Sequence, residues 1–85
     1  MQSKKQIILK ALAQTVKELR GEKSQFIFGS ENDISTSIIS TIERGLKDPQ
    51  LTTIFKISEA FGLSPVEFMQ LLCEKLPKNF KMIDQ

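Results

Sequence analysis

The sequence predicts an all-α fold of five helices in one small domain. Apolar residues recur at intervals of three and four along most of the chain, a spacing typical of amphipathic helices. Most glycines and prolines fall at the ends of these segments, where helices stop or start. A length of 85 residues bounds the chain to one domain. We place this domain at residues 1–76, followed by a short C-terminal tail at residues 77–85.

The first helix is predicted at Lys4–Arg20, a segment without proline or glycine that Gly21 closes. Its expected core stripe follows helical spacing and consists of Ile8, Leu12, Val16 and Leu19.

The second helix is predicted at Gln25–Asn32, after Ser24 as its N-cap. It contains three consecutive apolar residues, so at least one of them lies near solvent or a neighbouring helix. These are Phe26, Ile27 and Phe28.

A third helix over residues 35–43 organises the rest of the chain. Ile34, Ile38 and Ile42 fall in one row at helical spacing, with Ile39 beside them. The opposite face carries only short hydroxyl side chains, which are Thr36, Ser37, Ser40 and Thr41. Such a small face, with Arg44 at its end, suits the edge of a DNA major groove. The residues alone are equally consistent with an ordinary amphipathic helix that has a solvated, serine-rich side.

Two further helices complete the predicted fold. The fourth is expected at residues 51–61, with its apolar positions at Leu51, Ile54, Phe55, Ile57 and Phe61. The fifth begins with a capping box formed by Ser64 and Glu67, has Pro65 at its first position, and runs to about Leu76. We expect it to bury Phe68, Leu71 and Leu72.

Composition excludes several classes of function. The net charge is +2, with six basic and two acidic residues in 1–23 but three basic and six acidic residues in 24–72. The chain has no histidine, which removes the commonest general base and a common metal ligand. We therefore expect no catalytic residue, metal, cofactor or small-molecule substrate. The lone Cys73 predicts a buried structural thiol and a reducing compartment. No membrane span or signal peptide is present, so we expect a cytoplasmic, nucleoid-associated protein.

Several short motifs together resemble the phage repressor/Cro-type, XRE-like helix-turn-helix family. The most specific is Ile-Ser-x-Ile-Glu-Arg-Gly, which ends at Gly45, with x-x-Asp-Pro-x-Leu after it. The resemblance covers about residues 12–72 and is carried by residues 24–25, 34–35, 38–45, 48–51 and 62–65. It implies a lambda-repressor-like fold that binds double-stranded DNA.

The resemblance also implies roles for individual residues. Gln25 would bind a phosphate at the start of the second helix. The recognition helix would place its first turns on base edges, through Thr36, Ser37, Ser40 and Thr41, and Ser35 would also belong to the DNA-binding residues. Arg44 and Lys47 would face the DNA backbone. Glu43 would instead form a partly buried ion pair with Arg20.

Three features depart from the family pattern. The link between the first two helices is about two residues shorter than usual, and we expect Phe26 to fill the core site of the missing leucine. Asn32 and Asp33 replace the usual apolar residue and glycine at the turn. The base-facing surface has no Arg, Lys, Gln or Asn, which make most bidentate base contacts. We therefore expect specificity from shape fit, bridging water, thymine contacts and DNA deformability.

These observations predict a sequence-specific transcriptional regulator, a repressor that binds two-fold DNA sites as a homodimer. The fifth helix and the apolar tail residues Phe80, Met82 and Ile83 are the expected dimer surface. The alternative is a protein-binding module of the same fold, an antitoxin or adaptor with secondary or no DNA binding. Its partner would attach through the exposed part of Phe26, Ile27 and Phe28.

Overall fold

The chain forms five helices within residues 2–83, the part that the computed structural model describes. Residues 1, 84 and 85 of the predicted domain and tail lie outside the described residues. The helices are α1 Lys4–Arg20, α2 Gln25–Asn32, α3 Thr36–Glu43, α4 Leu51–Ala60 and α5 Pro65–Cys73. Helix α1 packs against α3 and α5, α2 packs against α3, and α4 packs against α5. The predicted all-α fold of five helices is confirmed.

Serine side chains start four of the helices. Each accepts a hydrogen bond from the backbone N–H three residues later, at 3.1 Å, and the four are Ser3, Ser24, Ser35 and Ser64. The predicted capping box of α5 is complete, because Glu67 in turn accepts a hydrogen bond from the Ser64 N–H at 3.0 Å. This backbone hydrogen bond holds the pKa of the Glu67 carboxyl below its usual value.

Helices α4 and α5 end earlier than the sequence predicted. The N–H of Phe61 bonds to the carbonyls of both Ile57 and Ser58, so α4 closes at Ala60. After Cys73 the N–H groups of Lys75 and Leu76 bond to carbonyls three residues back, which makes a tight turn instead of another α-helical turn. The predicted end of α5 at Leu76 is therefore wrong by three residues.

The core lies where α1, α3 and α5 meet and extends under α2 and α4. Its fully buried residues are Ala11, Leu12, Val16, Phe28, Ile34, Ile39, Ile42, Ile57, Phe68 and Leu72. The ring of Phe28 stacks on Phe61, with centroids 4.6 Å apart. Phe26 is 67% exposed, so the expectation that it fills a core site is wrong. Successive helical residues point about 100° apart, and Phe28 takes the inward direction.

Other differences between the sequence predictions and the structure concern which side of a helix faces the core. Cys73 is exposed, and the prediction of a buried thiol is wrong. Phe68 and Leu72 are one helical turn apart and face the core, whereas Cys73 points about 100° away from Leu72. On α1, Leu9 is buried although the predicted stripe left it out. On α4, the apolar side chains of Leu51 and Phe55 are exposed.

The turn between α2 and α3 brings the two helices very close together. Asp33 adopts a left-handed conformation with φ 54°, and the N–H of Ile34 bonds to the Gly29 carbonyl at 2.9 Å. The side-chain amide of Asn32 donates to the Phe28 carbonyl at 2.8 Å, so this half-buried polar group has a partner. A Cβ at Gly29 would lie 2.3 Å from the Ile34 carbonyl oxygen. The turn therefore requires glycine at this position.

Replacing Gly29 with alanine is expected to destabilise the domain by about 2 kcal/mol, because the added methyl group overlaps the Ile34 backbone. In an unobstructed helix the same change would stabilise the fold by about 1 kcal/mol. Urea unfolding of Gly29→Ala measures the sign. The control is Ser30→Ala on the exposed side of α2, which should change stability by less than about 0.5 kcal/mol. A stabilised Gly29→Ala variant would contradict this packing.

Candidate nucleic-acid interface

A buried carboxylate joins three helices at the end of α3. Glu43 is 3% exposed and accepts two hydrogen bonds from Arg20 of α1, from Nε to Oε2 and from Nη2 to Oε1, each at 2.7 Å. The side-chain amide of Gln25, the first residue of α2, donates to Oε1 at 3.0 Å. The third nitrogen of Arg20 donates to the Lys23 carbonyl at 2.6 Å. The structure thus brings the two residues of the expected ion pair together and adds Gln25.

The hydrogen bonds keep Glu43 ionised despite its burial. Burial raises the pKa of the Glu43 carboxyl, but the hydrogen bonds from Arg20 and Gln25, with the charges of Arg20 and Lys17, outweigh it and lower the pKa overall. The hydrogen bond to Glu43 raises the pKa of Arg20. The pair is therefore charged at neutral pH.

Helix α3 is anchored by its isoleucines and exposes its hydroxyls. Ile39 and Ile42 are fully buried, together with Ile34 just before the helix. Thr36 and Ser37 are exposed at the first turn, and Ser40 and Thr41 are half-buried further along. The helix therefore presents a short, flat polar face.

The hydroxyls of this face differ in how much of their hydrogen-bonding capacity is already used within the protein. The oxygen of Ser35 already caps α3 by accepting from the Ile38 N–H at 3.1 Å. The hydroxyl of Thr41 donates to the carbonyls of Ser37 and Ile38, both at 3.0 Å, so its proton is used within the helix. Within residues 2–83, the hydroxyls of Thr36, Ser37 and Ser40 make no intramolecular hydrogen bond. These three keep both donor and acceptor capacity for a ligand.

Three further predicted residues lie at the start of α2, directly after α3 and in the loop before α4. Gln25 uses one amide N–H for Glu43, which leaves its second N–H and its oxygen free. Arg44 is exposed, with Nε 3.4 Å from the Ser40 carbonyl. Lys47 is exposed in the loop before α4 and has no acidic partner in the described part of the chain. Their placement leaves cationic and amide donors open to solvent.

The structure places two groups at this surface that the sequence analysis missed. The side chain of Gln50 does not cap helix α4, and the N–H groups of Thr53 and Ile54 bond to the Gln50 carbonyl. Those of Leu51 and Thr52 make no hydrogen bond among the described residues, so they can bind an anion. Lys10 and Lys17 of α1 line a groove with Arg44. The signal for these lysines was a second helical stripe on α1, opposite in character to the apolar one and made of Gln6, Lys10, Gln14 and Lys17.

Residues 32–68 match a family model described as helix-turn-helix. The match includes the turn before α3, all of α3 and α4, and the start of α5, so it confirms the resemblance to the Cro/C1-type, XRE-like family and its lambda-repressor-like fold. No curated protein and no solved structure matches the chain significantly. Among the described residues no helix is both long and apolar enough to cross a membrane. The matched segment supports a DNA-binding helix-turn-helix regulator.

Glu43→Gln is expected to lower the free energy of unfolding by about 3 kcal/mol at neutral pH, because it leaves the Arg20 charge partly buried without its partner. The folded-state pKa of Glu43 lies below the ordinary 4.5. Its stabilisation is therefore complete above pH 4.5 and disappears as the pH falls through the lowered value. The difference in free energy of unfolding between wild type and variant should therefore disappear in that acid range. Urea unfolding at several pH values measures it.

The control for this measurement is Glu31→Gln, which breaks an exposed ion pair with Lys23. We expect it to cost less than about 1 kcal/mol, because water screens exposed pairs. Equal destabilisation in the two variants, or a gap that stays constant as the pH falls below the lowered pKa, would contradict the central position of Glu43.

Proposed function

We propose that this protein is a sequence-specific transcriptional repressor that binds double-stranded DNA with α3 in the major groove. The observation that carries the proposal is the exposed hydroxyl face of α3, within the matched segment and beside Arg44 and Lys47. A face without long side chains permits close approach to base edges, and the flanking cations attract phosphates. The DNA-binding unit is residues 1–76, acting in the cytoplasm on the nucleoid.

Base contacts in this proposal come from Thr36, Ser37, Ser40 and Thr41. The free hydroxyls both donate and accept, so each alone discriminates poorly between bases. The Thr41 proton is held by the helix, which leaves an acceptor oxygen and a methyl group suited to the methyl of thymine. Specificity would then depend on shape fit, bridging water and DNA deformability.

Phosphate contacts come from Gln25, Arg44 and Lys47, with the free N–H groups at the start of α4 beside them. Glu43 fixes the Gln25 amide, so its remaining N–H is already oriented at the start of α2. Ser35 contributes by capping α3 and thereby setting the direction of the helix that enters the groove.

The proposed dimer surface is the outer face of α5 with the tail at residues 77–85. Val66, Met69 and Cys73 are spaced three and four residues apart, so they share one helix face, and all three are exposed. Met82 and Ile83 are exposed apolar residues of the tail. Two-fold association would place two recognition helices about one DNA turn apart.

The second candidate function is a protein-binding module, an antitoxin or adaptor. The observation that favours it is the pair Phe26 and Ile27, whose large apolar side chains are 67% and 49% exposed next to each other on α2. Gln25, Arg44 and Lys47 favour DNA, because an adaptor has no need of phosphate contacts.

Binding to a pool of random duplexes at two salt concentrations is expected to enrich a two-fold motif without a sharp guanine-rich consensus. Arg44→Ala should weaken binding to all sequences alike and reduce the slope of log affinity against log salt by about 0.9 for each phosphate that it no longer neutralises. Lys5→Ala, at an exposed lysine of α1 outside the proposed interface and dimer surface, is the control with the same charge change. Negligible binding at low salt with no enriched motif would contradict the proposal and favour the protein-binding alternative.

Val66→Glu is expected to convert the dimer into a monomer with the mass of one chain, 9.6 kDa, because it places a charge at a side chain that is 77% exposed in the single chain. Sedimentation equilibrium measures the mass, and unchanged thermal unfolding of the monomer would exclude misfolding. The control is Phe26→Glu, the same kind of change on α2. A monomeric Phe26→Glu beside a dimeric Val66→Glu would move the dimer surface to α2.

A further inference from the structure

A groove of about 840 Å³ runs along α1 beside the turn that follows α3. One wall is the polar stripe of α1, with Gln6, Lys10, Gln14 and Lys17, and the other is the backbone and side chains of Arg44, Gly45 and Leu46. The groove therefore includes Arg44, a proposed phosphate contact, and extends along the first helix between Gln6 and Lys17.

Among the described residues, none of the three cations of this groove forms an ion pair. Most other lysines of the described helices and their flanking turns have a carboxylate within 4 Å: Lys5 with Asp48, Lys23 with Glu31, Lys56 with Asp33 and Lys75 with Glu18. In residues 2–83, neither Lys10, Lys17 nor Arg44 has an acidic partner at that distance. Paired lysines are largely neutralised by their neighbours, whereas these three have no carboxylate in direct contact.

The acidic residue in the lining does not cancel this charge. Glu43 lies at the base of the groove, but Arg20 occupies both of its oxygens. Gln14 between the two lysines and Gln6 one turn before Lys10 are neutral donors, a residue type that binds phosphate oxygens. The groove is thus a net positive track with hydrogen-bond donors along its length.

We propose that this groove is a second binding surface for the DNA backbone, in which Lys10 and Lys17 contact phosphates beyond those at Arg44. The inference rests on the proposed DNA-binding function and extends its footprint. Lys10 and Lys17 are seven residues apart, about 10 Å along the helix axis. The two lysines are therefore far enough apart to contact different phosphates. The contacts are to phosphates only, so they add affinity and not sequence preference.

The test compares the double variant Lys10→Gln, Lys17→Gln with the double variant Lys5→Gln, Lys56→Gln, which removes the same charge from two exposed lysines outside the groove and outside the proposed dimer surface. Binding to one duplex is measured over a range of salt concentrations. The groove variant should reduce the slope of log affinity against log salt by about 1.8 for each bound protomer, two contacts at about 0.9 each. The reduction should be the same on selected and random duplexes. Ethylation interference should show that some phosphates that matter for the wild type no longer matter for the groove variant, while those of the Gln25, Arg44 and Lys47 contacts still do.

The outcomes separate this inference from the proposed function. If the wild type and the Lys5→Gln, Lys56→Gln control bind with the same salt slope and the groove variant binds with a smaller one, the inference stands. If all three have the same slope, while Arg44→Gln lowers it, the groove proposal is overturned and the DNA-binding function remains. If the wild type binds no duplex at low salt, both are overturned. Unchanged circular dichroism and thermal unfolding of the groove variant confirm that it is folded.

Discussion

The contact between Arg20 and Glu43 determines how the other helices of this domain are arranged. A carboxylate that is 3% exposed would be costly to bury alone, and the bidentate guanidinium with the Gln25 amide offsets that cost. The three residues belong to α1, α2 and α3, so one group fixes the end of α3 relative to the start of α2. Two of the proposed phosphate contacts, Gln25 and Arg44, lie at these places, which ties the stability of the fold to the geometry of the interface.

This anchoring explains how α3 can be built from poor helix formers. Isoleucine, serine and threonine all have modest helix propensity, and eight residues are too few for a stable isolated helix. The helix is stabilised instead by the Ser35 cap, by the burial of Ile39 and Ile42, and by the fixed position of Glu43. Because tertiary contacts hold the helix from its inner side, its outer side is free to carry small hydroxyls. A surface suited to close approach is therefore a consequence of how the helix is stabilised.

The sequence predicts those features that depend on local chemistry. Serine caps predict where the helices start, and the spacing of apolar residues predicts the all-α class. Both can be read from the sequence before any tertiary contact is known. Which of Phe26, Ile27 and Phe28 is buried depends instead on the stack between Phe28 and Phe61, residues distant in sequence. Cys73 is likewise exposed because the side of α5 that faces the core carries Phe68 and Leu72. The charged groove could not be predicted, because which lysines lack an acidic partner is a property of the folded surface.

The pairing of charges also changes what the net charge of +2 means for DNA binding. Carboxylates in the described chain lie close to Lys5, Lys23, Lys56 and Lys75, so the field of those lysines is reduced by a neighbour. The unpaired cations Lys10, Lys17 and Arg44 share one groove, and Lys47 follows in the loop beyond it. A weakly basic chain can thus present a positive surface on one side, because several of its acids are paired with other cations. Charge placement, more than total charge, is what would orient α3 toward a duplex before any base is contacted.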